Sequence, residues 1–367
     1  GAMAYAELAA LRPRAGSEYV YLREAYGPLA AFLTGWTSFV AGFSGAIAAS
    51  AVGLADYLGR FIPAAADVTP LLVVPLPFVE LTVTRKALVA LTVIGALSYV
   101  HIRGLGPGRL VQNTLAILKT LGLVVFVALG FSVGQGEPAN VTAAAGAVAP
   151  AGILMALIPV MFTYSGWNAA TYVAEEIRDP GRNVPLALAI GTGMVILVYL
   201  ALNVLYLYAM PVAELARVQG GLIDQASERL FAFRMGDAVA AFTIISIAAS
   251  ISAMIFAGPR VYFAMARDGL FLAPAARVHP KYHTPALSIV AQALWSGVLV
   301  LSGTLSQLVS YTGFAVVLFS GIAVAAVFVL RHRFPNEPRP YKVWGYPLSP
   351  AVFVVAAVAM LVNEIWS

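Results

Sequence analysis

The chain has 367 residues, 60% of them hydrophobic and only 11% charged, with a mean hydropathy of +0.86. A soluble domain of this size carries about a quarter charged residues, so composition excludes that class and points to an integral membrane protein. The net charge of +5 does not signal nucleic acid, because lysine and arginine fall in short loops between apolar runs and form no basic stripe with interleaved aromatics.

Residues 1–11 are apolar apart from Glu7 and too short to cross a bilayer. With no initiator methionine at position 1, they are expected to be the end of a helix that begins earlier. A loop follows by its proline, glycine and charges, Leu11-Arg12-Pro13-Arg14-Ala15-Gly16-Ser17-Glu18. The run from Ala25 to Ala55 holds 31 residues without a charge, enough for one long tilted span over 25–56. A proline-rich linker, Asp56 to Lys86, leads to a span at 84–102. After the break Gly104-Leu105-Gly106-Pro107-Gly108 comes a helix at 109–133.

Spans are then expected at 151–176, 184–210, with Pro185 in its first turn, and 236–266. Glu214 to Arg234 reads as a surface hairpin or amphipathic helices. Thr284 to Leu330 is 47 residues without a charge, too long for one crossing. A turn at Ser302-Gly303-Thr304 divides it into 284–302 and 305–331, and the last span is 343–365. The whole reads as one transmembrane domain. With the first loop, Arg12–Glu24, on the cytoplasmic side, alternate loops hold 15 of the 22 lysines and arginines and the opposite loops hold six. That excess sets the expected orientation.

The remaining cation, Lys119, sits ten residues into its helix and therefore near the membrane midplane. A charge there is costly, and by default it marks function. The competing reading is a snorkelling or structurally paired lysine. A desolvated lysine has its proton affinity lowered, which suits it to proton exchange during a transport cycle or to the role of a fixed cation.

The stretch Met161-Phe162-Thr163-Tyr164-Ser165-Gly166-Trp167-Asn168 interrupts an apolar segment about ten residues before Glu175, also near mid-membrane. Backbone groups freed from helical bonding there need partners from protein, water or ligand, because lipid offers none. Half-helix ends and unwound carbonyls suit an ammonium group, with aromatic rings covering it. The plainer alternative is a glycine kink with a tryptophan used in packing. Ser246 and Ser250, on one face at i and i+4, and Ser252 offer hydroxyls to an ion, to Lys119 or to substrate; interhelical hydrogen bonding is their ordinary use. The small residues from Gly35 to Gly53 read as helix packing.

There is no cysteine, and the four histidines have no ligand-like spacing, so neither a metal nor another cofactor is expected. No phosphate-cradling loop for direct ATP drive is present, and the chain does not read as an enzyme. No second ionisable group is evident at the membrane centre, which favours a zwitterionic or neutral solute over a strongly cationic one.

Several stretches together resemble the amino acid–polyamine–organocation superfamily of transporters, in particular bacterial permeases similar to the L-type amino acid transporters. They are Gly1 to Leu8 leading to Pro13-Arg14-Ala15-Gly16-Ser17-Glu18-Tyr19-Val20-Tyr21-Leu22; Phe162 to Asn168; Glu175 to Pro180 with Arg182-Asn183-Val184-Pro185; Met265-Ala266-Arg267-Asp268-Gly269; and His279-Pro280 with Thr284-Pro285. The resemblance implies an all-α integral membrane protein with LeuT-like inverted five-helix repeats, incomplete at both ends. On that scheme residues 1–11 end helix two, Lys119 lies on helix five and the break lies on helix six. Helix one, the start of helix two and helix twelve lie outside the chain.

The same resemblance makes Phe162 an aromatic gate. The carbonyls around Phe162, Thr163 and Ser165 become acceptors of an α-amino group, Asn168 a polar group stabilising the break, and Lys119 the lysine that stands in for a sodium site. It departs at Ser165, Ser252 and Met254, which favours a smaller pocket. The function implied is secondary transport of neutral L-amino acids by alternating access, as exchanger or proton-coupled permease, in the cell inner membrane. The expected partners are the amino acid and the lipid bilayer. An amine or polyamine permease of the same fold and a non-transporting fragment are the alternatives. No accessory subunit is legible in the sequence.

Overall fold

The computed structural model describes the chain except residues 78, 143–151, 153–155, 158–159, 162, 219–220, 232–234, 304 and 367. The aromatic gate expected at Phe162 lies outside the described residues. Those described are mainly helical, with one two-stranded sheet. In chain order the main helices are α1 (Ala2–Leu11), α2 (Glu18–Tyr26), α3 (Pro28–Leu58), α4 (Arg85–Ile102), α5 (Leu105–Ser132), the short α6 (Ala169–Tyr172), α7 (Pro180–Ala209), α8 (Leu222–Phe231), α9 (Gly236–Arg267), α10 (Ala286–Ser302), α11 (Leu305–Arg333) and α12 (Leu348–Trp366). Six segments, in α3, α4, α5, α7, α9 and α11, are long and apolar enough to cross a bilayer, and α1, α10 and α12 are shorter apolar helices.

The linker expected between Asp56 and Lys86 contains an antiparallel hairpin, β1 (Pro70–Pro75) and β2 (Glu80–Thr84). Two of the linker's four prolines, Pro70 and Pro75, stand at the ends of β1, where a missing N–H is tolerated. Thr84 then caps α4, its hydroxyl accepting from the Ala87 amide at 3.0 Å. Helix α7 begins earlier than expected. Pro180 occupies its first turn behind Asp179 in the left-handed region (φ 48°), and Pro185 lies inside the helix.

Helix α9 organises the packing. Its later half, from Ala257 to Met265, joins the core formed by α1, α2, the start of α3, the segment 172–174 and α11. Ile251 and Ile255 belong to a second core with α3, α4 and α10. A third, smaller core joins Phe126 of α5 with Leu202, Leu205 and Leu230 of α7 and α8. Outward positions such as Ile117, Leu121, Leu197 and Leu200 are apolar and exposed, as a lipid-facing surface requires.

Helix α3 is not uniform: Ser38–Gly42 is a π-helical turn. Such turns loosen the ordinary backbone ladder and leave carbonyls accessible. Here the Ser38 carbonyl accepts from the Tyr262 hydroxyl at 3.1 Å, and the Val40 carbonyl from Trp295 Nε1 at 2.9 Å. Both donors come from the helices α3 packs against. At Gly35 a Cβ would stand 2.4 Å from Met265 Sδ, so the small residue admits α9, in keeping with the packing role expected of this glycine.

Candidate functional site

The helix that precedes residue 165 loses its regular ladder at the expected stretch. The Tyr164 amide still reaches the Val160 carbonyl at 3.2 Å, and Tyr164 to Asn168 then form turns before α6 starts. Gly166 has φ +91°, a conformation that strains any residue with a side chain, and open space surrounds the position of its absent Cβ. Glycine is therefore required by the backbone at that point.

The break divides into two faces. Thr163, Ser165 and Gly166 are exposed, and Tyr164 is half-buried with its ring edge-on to Tyr199 at 5.0 Å. The Thr163 hydroxyl donates to Val160 O at 2.7 Å, and the Thr163 carbonyl accepts from the Tyr199 hydroxyl at 3.0 Å. One of the carbonyls expected to face a ligand is thus held by a side chain of α7. Trp167 and Asn168 turn the other way. Trp167 packs edge-on to Tyr5 at 4.7 Å and against Phe353, while Asn168 is buried and its Nδ2 donates to Glu18 Oε1 at 2.6 Å.

Lys119 and Ser250 come together, with Nζ donating to Oγ at 3.2 Å. The Ser250 hydroxyl in turn donates to the Ser246 carbonyl at 3.2 Å, so the i, i+4 relation of the two serines is used through the backbone of Ser246. Ser252 faces elsewhere, against His101 Nε2 at 2.9 Å. Among the described residues no hydrogen bond joins Lys119 or Ser250 to residues 163–168.

Three residues after Lys119, Gly122 fixes this geometry. A Cβ there would stand 2.2 Å from the Phe242 ring, so α5 and α9 approach only because the position is glycine. Gly122→Val is expected to push the helices apart at a cost of about 1–3 kcal/mol and to separate Lys119 from Ser250. Gly95→Ala, with open space around its Cβ, is the matched control. Melting temperature and solute uptake of both variants check this, and a Gly122→Val protein as stable and active as the control would contradict it.

The corner between α1 and α2 carried part of the family resemblance, but its contacts with the segment after the break were not legible in the sequence. Gly16 (φ 114°) and Ser17 (φ 48°) are both left-handed, and the corner is stitched to the segment after the break. The Gly16 amide donates to Tyr172 O at 3.3 Å, Ser17 and Thr171 share a hydroxyl contact of 2.5 Å, and the Ala15 amide donates to Glu175 Oε2 at 2.9 Å. Glu175 also meets Arg267 at 2.9 Å. Glu176 pairs with Arg260, whose side chain is 3% exposed, at 3.0 Å. The residues following the break are therefore held by both α2 and α9. Ser17 and Glu18 read as loop polarity, and only the three-dimensional meeting of residues 15–18 with 168–175 gives them partners.

A family model described as amino acid permease matches residues 1–366. The chain belongs to that family. It is also similar to the b(0,+)-type amino acid transporter 1 of Mus musculus, at 27% identity over 365 residues covering 99% of this chain and 71% of the relative. The large neutral amino acids transporter small subunit 2 of Homo sapiens is 28% identical over 377 residues, covering 100% of this chain and 66% of that protein. This permease is accordingly an all-α, multi-pass integral membrane protein.

Proposed function

We propose that this permease moves neutral L-amino acids across the membrane by alternating access, as an exchanger or with proton coupling, and that it is a transporter rather than an enzyme. The observation that carries the reading is the break at 164–168, with Gly166 in a glycine-only conformation, set in a chain whose family and relatives are amino acid permeases and transporters. Discontinuous helices at mid-membrane are the usual place for backbone recognition of a zwitterion. In this reading Thr163, Tyr164, Ser165 and Gly166 contribute the substrate face, together with Phe162. Trp167 and Asn168 anchor that face to the scaffold.

Lys119, held by Ser250 on the backbone of Ser246, serves as the fixed or exchanging cation of the cycle. We place the protein in the cell inner membrane with Arg12–Glu24 on the cytoplasmic side, on the strength of the excess of positive charge in alternate loops. A neutral rather than cationic substrate is favoured because Glu18, the carboxylate hydrogen-bonded beside the break, already accepts from three side chains.

Thermal melting of the purified permease against a panel of neutral amino acids, basic amino acids and polyamines tests the assignment. A ligand at a hundred times its Kd stabilises by about 2.7 kcal/mol, so binders separate clearly from the rest. Stabilisation by small or medium neutral L-amino acids is expected. Stabilisation by polyamines alone would contradict the reading. Tyr199→Phe releases the Thr163 carbonyl and is expected to change affinity for the same amino acids by about three- to tenfold, the range of one ordinary hydrogen bond. Identical melting shifts in variant and wild type would remove that carbonyl from the site.

A further inference from the structure

Glu18 is 8% exposed and sits at the first turn of α2, outside the membrane-spanning helices. Its carboxyl receives Tyr5 Oη at 2.8 Å and Asn168 Nδ2 at 2.6 Å on one oxygen and Tyr172 Oη at 2.5 Å on the other. These donors come from α1 and from the two ends of α6, so a single side chain of α2 ties α1, α2 and α6 together immediately after the break. The groups around it are Tyr5 on α1, Tyr21 on α2, Asn168, Thr171 and Tyr172 at α6, and Ser320 of α11 beside Tyr5. Among the described residues no lysine, arginine or histidine forms an ion pair with it.

The other deeply buried carboxylate, Glu7, is compensated differently, by Arg331 at 2.6 Å and Arg339 at 3.3 Å. A carboxyl buried without a cation is the arrangement in which the neutral form competes with the ion. The partners of Glu18 suit both forms. Asn168 is fixed as a donor, but each tyrosine hydroxyl rotates and can donate to a carboxylate or accept from a carboxylic acid. The Tyr172 oxygen already lies 3.4 Å from Asn168 Nδ2, in position to be an acceptor.

We propose that Glu18 is a proton-binding site that positions the half-helix after the break, holding residues 168–172 against the α1–α2 corner when protonated and loosening them when ionised. The inference rests on the transport reading only in giving that movement a purpose, since half-helices beside a substrate break shift during alternating access. Burial, the largest influence, raises the proton affinity of Glu18 above the ordinary carboxylate value, and its three hydrogen bonds oppose that rise. A group whose proton affinity is raised in the closed arrangement favours that arrangement at low pH, and the preference is lost as pH rises through its titration. Acidification therefore holds the seam closed and alkalinisation releases it.

The absence of cysteine from the chain makes the test direct. A nitroxide spin label on Ala169→Cys, an exposed position at the start of α6, reports the mobility of the post-break segment. The same label on Leu294→Cys, 68% exposed on α10, controls for global changes. Between about pH 4 and pH 9, the label at position 169 is expected to pass from immobile to mobile with one midpoint above about 4.3, the ordinary glutamate value. Glu18→Gln, a neutral isostere, is expected to keep that label immobile throughout. Tyr172→Phe, which removes one donor to the carboxylate, is expected to raise the midpoint by about 1 pH unit, so the proposal stays open to refutation if Glu18→Gln fails to fold. No transition in the otherwise unsubstituted labelled protein, or a midpoint unchanged from that protein in Glu18→Gln or in Tyr172→Phe, would overturn the proposal. So would equal changes at position 294. Amino-acid binding is scored separately by thermal melting; its loss would count against the transport reading and leave the label titration standing.

Discussion

Lys119→Ala is expected to lower amino-acid exchange by about ten- to a hundredfold while leaving the melting temperature unchanged or raised. The lysine is a half-buried cation whose hydrogen bond to Ser250, at 3.2 Å, is the polar contact that fixes it between α5 and α9. Hydrogen bonds to charged groups are worth about 1.5–3 kcal/mol, which sets the range of the expected loss. A charge kept in the membrane-spanning part of a helix at an energetic cost should not be needed for stability, because removing it also removes its desolvation penalty. A structural lysine gives the reverse pattern: reduced stability with exchange per folded molecule preserved. Ser250→Ala, measured beside it, is expected to show a smaller loss in the same direction. Equal exchange in wild type and Lys119→Ala would remove this residue from the mechanism.

The largest stability effect is expected at Glu7. Its side chain is 2% exposed on α1 and meets Arg331 of α11 in two hydrogen bonds, at 2.8 and 2.6 Å. Its Oε2 also accepts from the Val343 amide, at 2.6 Å. Arg339 approaches at 3.3 Å. Glu7→Ala leaves these cations facing a vacancy, and breaking one side of a buried pair costs about 3–5 kcal/mol. A large fall in melting temperature is expected, with partial recovery in Glu7→Leu combined with Arg331→Met, which replaces the pair by apolar contact. A fall of less than about 1 kcal/mol in Glu7→Ala would show that the clamp between α1 and the α11–α12 connection contributes little.

Hydropathy made the crossing helices legible, because lipid demands long uncharged runs and α3, α7 and α9 have them. The break was legible for a related reason, since Ser165-Gly166 in an apolar segment has few roles other than bending or unwinding it. Lys119 was conspicuous as a cation and Ser250 was among the hydroxyls offered to it, but which serine meets it depends on the approach of α5 and α9 at Gly122. Charged residues in loops were misleading in the opposite sense. Glu18 looked like solvent-facing polarity, yet it is buried because segments distant in sequence fold over it. The hairpin at Pro70–Thr84 was hidden by its prolines, and the π turn in α3 by the uniform apolar character of the run that contains it.

Counterflow reads out directly whether the break and its anchors serve amino-acid translocation. Proteoliposomes carrying the permease are loaded with an unlabelled neutral L-amino acid, diluted, and given a trace of the same amino acid in radioactive form outside. Transient accumulation of label above equilibrium is expected, competed by other neutral L-amino acids and strongly reduced in Lys119→Ala. Label that never exceeds the level in protein-free liposomes, across the panel of neutral L-amino acids, would contradict that role.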